Sequence, residues 1–189
     1  MALAGALALL LGQDRPPTVA DAAGAVNAPF ASGASAADGT PPDISNMSPR
    51  ERFDRLFNRI MRAAESGDEA TVTTFAPMAL SAFQMLDSVN VDARYHAALI
   101  QLHTGDMAGA AAQGDSILKA QPGHLFGYIV KGTIARFQKD QAALGVAYTA
   151  FLKHYAAEAA LKRPEYAEHP RAVEDFLTAA RTAEGGSGQ

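Results

Sequence analysis

At 189 residues and a net charge of −4, the chain has room for one domain with a buried core plus appendages, and no long charge run marks a nucleic-acid binder or an acidic tail. The absence of cysteine excludes disulfides, thiolate catalysis, cysteine–zinc sites and a lipid anchor on cysteine. Tryptophan is also absent and alanine is abundant, a composition suited to closely packed helices.

Residues 1–13 carry no charged side chain. As a helix they would reach only about 20 Å, short of the roughly 30 Å hydrocarbon core of a bilayer. Three readings fit: the second half of a membrane span that starts upstream, a signal sequence whose only positive charge is the α-amino group, or a loose Ala/Leu helix of a soluble protein. Water penalises an exposed apolar arm, which favours membrane targeting. With Arg15 as the one early basic residue, the chain from Asp14 onward then belongs on the non-cytoplasmic side, periplasmic in a bacterial cell. Residues 14–46 are made largely of Ala, Gly, Pro, Ser, Thr and Asp, with Phe30 as the only aromatic. Such a stretch buries too little to offset its ordering entropy and reads as a flexible linker spanning about 30 Å.

A helical domain is expected over 47–184, with a short tail over 185–189. Ser48-Pro49-Arg50-Glu51 is a helix start, with Ser48 as cap, Pro49 in the first turn and Glu51 closing a capping box. Phe53, Leu56, Phe57, Ile60 and Met61 come next at helical spacing. Arg52, Arg55, Arg59 and Arg62 form a basic ridge on the other side, either a docking face for anionic lipid or an acidic partner, or a solvated face paired with Glu51, Asp54 and Glu65. The solvated face is the preferred reading. Pro77 should kink or restart the helix that contains it.

From Val91 to His124 the pattern becomes a helical hairpin. Tyr95, Ala98, Leu99 and Leu102 share one face, Gly105 can take the left-handed backbone that ends a helix, and Asp106 can cap the next. Met107, Ala110, Ala111, Ile117 and Leu118 line the second helix, which Pro122 stops. The corner recurs. Gly67-Asp68, Gly105-Asp106 and Lys139-Asp140 stand 38 and then 34 residues apart, and the four extra residues of the first unit fall near Asp87 to Asp92. After Pro164 and Pro170, the residues Val173, Phe176, Leu177 and Ala180 give a final helix that ends near Gly185-Gly186 and should cover the edge of the third unit.

On Ala98, Gly105-Asp106, Ala110 and Pro122, and on Tyr128, Gly132, Asp140, Tyr148 and Phe151 of the third unit, the chain resembles the tetratricopeptide repeat, a helix–turn–helix unit of 34 residues. Gly114 stands where that family has an aromatic, and Lys139 replaces the corner glycine. The resemblance implies an all-α solenoid of about three repeats with a C-terminal capping helix. It also implies a peptide-binding groove lined by the first helix of each unit: Phe57 and Met61, then Tyr95, Leu99 and His103, then Phe126, Ile129, Thr133, Arg136 and Phe137. The family variant that clamps a carboxylate terminus needs Lys, Asn and Arg there, and only Arg136 is present. The run from Pro42 to Arg52 is similar to the entry of the repeat domain in bacterial cytochrome c maturation subunits, which implies an apocytochrome-holding role.

No metal helix, phosphate loop, nucleophile elbow or dinucleotide fingerprint occurs. His96 and His103 are two turns apart, too far to chelate one ion by themselves, and His124, His154 and His169 read with them as surface and cap residues. No catalytic residue, metal or cofactor is expected. The reading is a membrane-tethered protein-binding module taking a peptide or amphipathic helix, with a permanent structural subunit of a membrane complex, such as an energy-transducing one, as the alternative.

Overall fold

The computed structural model describes residues 47–186, so the apolar segment 1–13 and the linker 14–46 lie outside the described residues. The fold is all-α, and among the described residues there are eight helices and no strand. They are α1 (Pro49–Glu65), α2 (Glu69–Gln84), α3 (Val91–His103), α4 (Met107–Ala120), α5 (Leu125–Phe137), α6 (Gln141–Ala160), α7 (Pro164–Glu168) and α8 (Pro170–Gly186).

Three hairpins, α1–α2, α3–α4 and α5–α6, turn on one backbone device. Gly67, Gly105 and Lys139 each hold a positive φ, at 75°, 79° and 57°. The next amide, of Asp68, Asp106 or Asp140, donates to a carbonyl five residues back: Ala63 O at 2.8 Å, Gln101 O at 2.8 Å and Ala135 O at 2.9 Å. This left-handed cap satisfies carbonyls that a helix end would otherwise leave without partners. Each aspartate then caps the following helix, its Oδ1 accepting from Thr71 N at 3.0 Å, Gly109 N at 2.8 Å or Ala143 N at 2.9 Å. At Lys139 the tertiary fold imposes the left-handed backbone on a residue with a Cβ.

The start of α1 is also as the sequence indicates. Ser48 caps it, and the Glu51 carboxylate reaches back to the Ser48 amide at 2.9 Å. One local expectation is corrected. α2 does not restart at Pro77 but runs as one helix from Glu69 to Gln84, with Pro77 on the exposed side, opposite the buried Ala76, Ala79 and Ala82. The extra residues of the first unit fall in the connector between Gln84 and Val91, close to the Asp87 to Asp92 stretch that the corner spacing indicates. The segment between Pro164 and Pro170 contains the short helix α7.

Packing follows chain order. Successive hairpins meet through α2 against α3 and α4 against α5, and α8 lies on α6. The odd-numbered helices also meet one another, α1 with α3 and α3 with α5, and α8 continues the row against α5, while contact between even-numbered helices of the hairpins is marginal at most. α3 is the central element: Ala93, Ala97 and Ile100 enter one core with Phe53, Phe57 and Ile60, and Val91, Tyr95, Ala98 and Leu102 enter the other with Phe126, Ile134 and Phe151. Burial on nearly all sides explains why, beyond its first turn, Gln101 and His103 near its end are the polar side chains it leaves at intermediate exposure. Gly114, in place of an aromatic, faces Gly127, where an added Cβ would meet Gly114 O at 3.2 Å, so the two glycines set the close approach of α4 to α5. No described helix is long and apolar enough to cross a membrane.

Candidate functional site

The ten groove residues divide in two. Phe57, Tyr95, Phe126 and Ile129 are core residues, because the odd helices pack directly on one another at their N-terminal halves. The His96 ring stacks on Phe57 with centroids 3.7 Å apart, and Tyr95 stacks on Phe126 at 4.0 Å. Met61, Leu99, His103, Thr133, Arg136 and Phe137 remain partly exposed and belong to the C-terminal halves of α1, α3 and α5. Arg136 donates from Nη2 to the Tyr148 hydroxyl at 3.3 Å. Burial pushes His103 down to about 4, so it is neutral at pH 7.

The basic ridge is not paired as expected. Asp54 bonds Arg50 at 2.8 Å and Glu51 serves the cap, so neither carboxylate is given to the ridge. Arg59 instead lies over the Phe75 ring, 3.8 Å from its centroid, and Arg52 donates to Met47 O at 3.3 Å. Arg55, Arg59 and Arg62 are exposed.

The N-terminal half of the odd-helix face is closed by the segment that links α6 to α8. α7 is held there by polar contacts to the start of α5. The His124 ring accepts from Phe126 N at its Nδ1, so its Nε2 carries the proton and donates to Glu165 Oε1 at 3.1 Å. Tyr166 accepts from Leu125 N at 3.0 Å and donates to Glu158 Oε2 at 2.7 Å, while Arg163 donates to the same oxygen at 2.8 Å. Burial favours protonation of Glu158, but these donors outweigh it and hold the carboxyl below its usual range.

Beyond α7 the chain brings His169 onto α3, and there the fold assembles a group the sequence did not disclose. Asp92 and His96 lie one turn apart on α3, and His169 reaches both from the α7–α8 junction. The Nε2 atoms of His96 and His169 are 2.9 Å apart, and Asp92 Oδ1 is 3.4 Å from the first and 3.3 Å from the second. The other oxygen of Asp92 accepts from Arg50 Nη2 at 3.0 Å, and Arg50 Nη1 donates to Asn90 Oδ1 at 3.1 Å. Burial pushes His96 down to about 4, only partly countered by the Asp92 charge. Burial would raise Asp92, but the hydrogen bond from His169, the electrostatic influence of the His96 and His169 rings and the hydrogen bond from Arg50 hold it below the usual carboxylate range. His96 and His124 are therefore buried residues rather than surface ones. The signal available in the sequence was the Asp-x-x-x-His spacing of α3, which places a carboxylate and an imidazole on one helical face. Its third member comes from 73 residues away. Comparison of the chain with known protein families, with curated proteins and with solved structures finds no match.

Proposed function

We propose that residues 47–186 form a tetratricopeptide-like solenoid that binds an amphipathic helix of another protein across the C-terminal halves of α1, α3 and α5. The observation that carries this reading is the repetition of one corner, left-handed residue then capping aspartate, at all three hairpins, combined with the asymmetry of packing between odd and even helices. A stack whose odd helices touch while its even helices barely do is narrower on the odd side and curves with that side inward.

On that inner side, Met61, Leu99 and Phe137 offer apolar contact, and Thr133 and Arg136 offer polar contact at one end. Three helices at the usual 8–10 Å separation give a row of about 20 Å, matching three to four turns of a bound helix. The fitting ligand has an apolar stripe and an acidic residue placed for Arg136. The membrane-directed role of residues 1–13 belongs to the same proposal, with the linker 14–46 keeping the domain close to the bilayer. Cell fractionation tests that part: recovery of the full chain wholly in the soluble fraction contradicts the tether.

The binding face is tested by placing a photo-crosslinking amino acid at His103 or Thr133, and as a control at Val146, an exposed residue of α6 on the opposite layer. The same partner attached at His103 and Thr133 but not at Val146 supports the reading. Equal labelling at Val146, or none at either row position, contradicts it. A partner held at fixed ratio through high salt would favour the alternative, a permanent structural subunit of a membrane complex.

A further inference from the structure

We propose that Asp92, His96 and His169 bind one divalent first-row transition-metal ion, through Oδ1 of the aspartate and Nε2 of each histidine. The three atoms form a triangle with edges of 2.9, 3.3 and 3.4 Å. Ligand atoms about 2.0–2.2 Å from a metal ion stand about 3.3 Å apart in a tetrahedral site and about 3.0 Å apart in an octahedral one. A cation seated just off the plane of this triangle therefore needs only a few tenths of an ångström of adjustment.

The placement of protons strengthens the assignment. Each Nε2 is either a donor or a bare lone pair. If His96 donates, its one hydrogen serves both His169 and Asp92, and the His169 lone pair then faces the carboxylate oxygen. If His169 donates, the His96 lone pair faces that oxygen instead. If both donate to Asp92, the two N–H groups oppose each other across 2.9 Å, so one edge of the triangle is repulsive in every arrangement. A metal ion takes a lone pair from all three atoms at once and removes the conflict. Nδ1 of His96 is buried without a hydrogen-bond partner whichever form the ring takes, so ring orientation rests on the Phe57 stack rather than on a second hydrogen bond.

The surroundings suit a three-ligand site. Arg50 occupies Oδ2 of Asp92 and leaves Oδ1 as a single donor. His169 is only partly buried, so water can complete the coordination. Two imidazoles and one carboxylate, with no thiolate, select zinc-like and iron-like ions over calcium or magnesium, which favour all-oxygen shells. The consequence is structural: the ion would clamp the α7–α8 junction to α3, and through Arg50 to the first hairpin.

The test uses the full chain, stripped with a chelator and titrated with Co2+ while its visible ligand-field absorption is followed, then displaced by Zn2+. The expected result is one equivalent of Co2+ with bands characteristic of mixed nitrogen and oxygen ligands. These should be lost in His169→Ala and in Asp92→Asn, both with helical circular dichroism unchanged, and retained in His103→Gln. Absence of bands in the wild-type chain overturns the proposal. So does binding of equal strength in wild type, His169→Ala and Asp92→Asn, which would place the ion on other histidines.

Discussion

Like Lys162, which also holds a positive φ, Lys139 is a residue whose local chemistry and backbone disagree. Its φ of 57° repeats the geometry that Gly67 and Gly105 adopt without a side chain to crowd. Lys139→Gly should stabilise the fold by about 1 kcal/mol, and Gly105→Ala should cost a similar amount even though open space surrounds its position. Urea midpoints measured at unchanged m-value check both signs, and a destabilised Lys139→Gly would contradict the reading of the corner. His103 makes the second prediction at this scale. Its folded value of about 4 lies below the roughly 6.5 of an unfolded histidine, so it costs nothing above that pH. As pH falls from about 6.5 towards 4, the unfolded chain takes up a proton that the native chain refuses, and stability declines. His103→Gln should flatten this decline by about one proton in the pH dependence of unfolding. An unchanged slope would mean that His103 titrates normally in the fold.

Among the elements, α8 carries a sharp packing requirement. A Cβ at Gly132 of α5 would lie 2.5 Å from the Phe176 ring, so Gly132→Ala must displace α8 or force the ring out of place. The expected loss is about 1–3 kcal/mol, with hydrogen exchange accelerated most in α8. Protection in α8 equal to that of the wild type would show that the ring yields at no cost. The same packing logic separates the elements that were legible in the sequence from those that were not. The corners at Gly67, Gly105 and Lys139 were readable because the capping aspartates announce them locally, even where lysine replaces glycine. α7 was not readable, since five residues between two prolines contain no full period of apolar residues. The unbroken course of α2 was hidden because the effect of Pro77 depends on which side of the helix faces water.

At the scale of the molecule, the hairpin order arises from local signals, whereas the buried polar group arises only from the chain's return. Nothing near His169 in the sequence distinguishes it from a helix-capping residue, and its meeting with Asp92 and His96 exists only once α7 is fastened to α5 by Tyr166 and Glu165. The division of the groove has the same origin: Phe57, Tyr95 and Phe126 are buried where the odd helices meet, and Tyr95 and Phe126 also where the returning chain sets His169 and Tyr166 against them. Because the metal ligands join the α7–α8 junction to α3, the ion should act on global stability. Zn2+ at a hundredfold excess over its dissociation constant should add about 2.7 kcal/mol and raise the unfolding midpoint. A midpoint unmoved by Zn2+ would contradict a clamp in the native state.

The central claim is that the inner row of α1, α3 and α5 is where another protein binds, and site-specific photo-crosslinking from His103, Thr133 and Val146 tests it most directly. The expected result is one partner recovered from His103 and Thr133 and none from Val146. Labelling that ignores the difference between the two layers would contradict it.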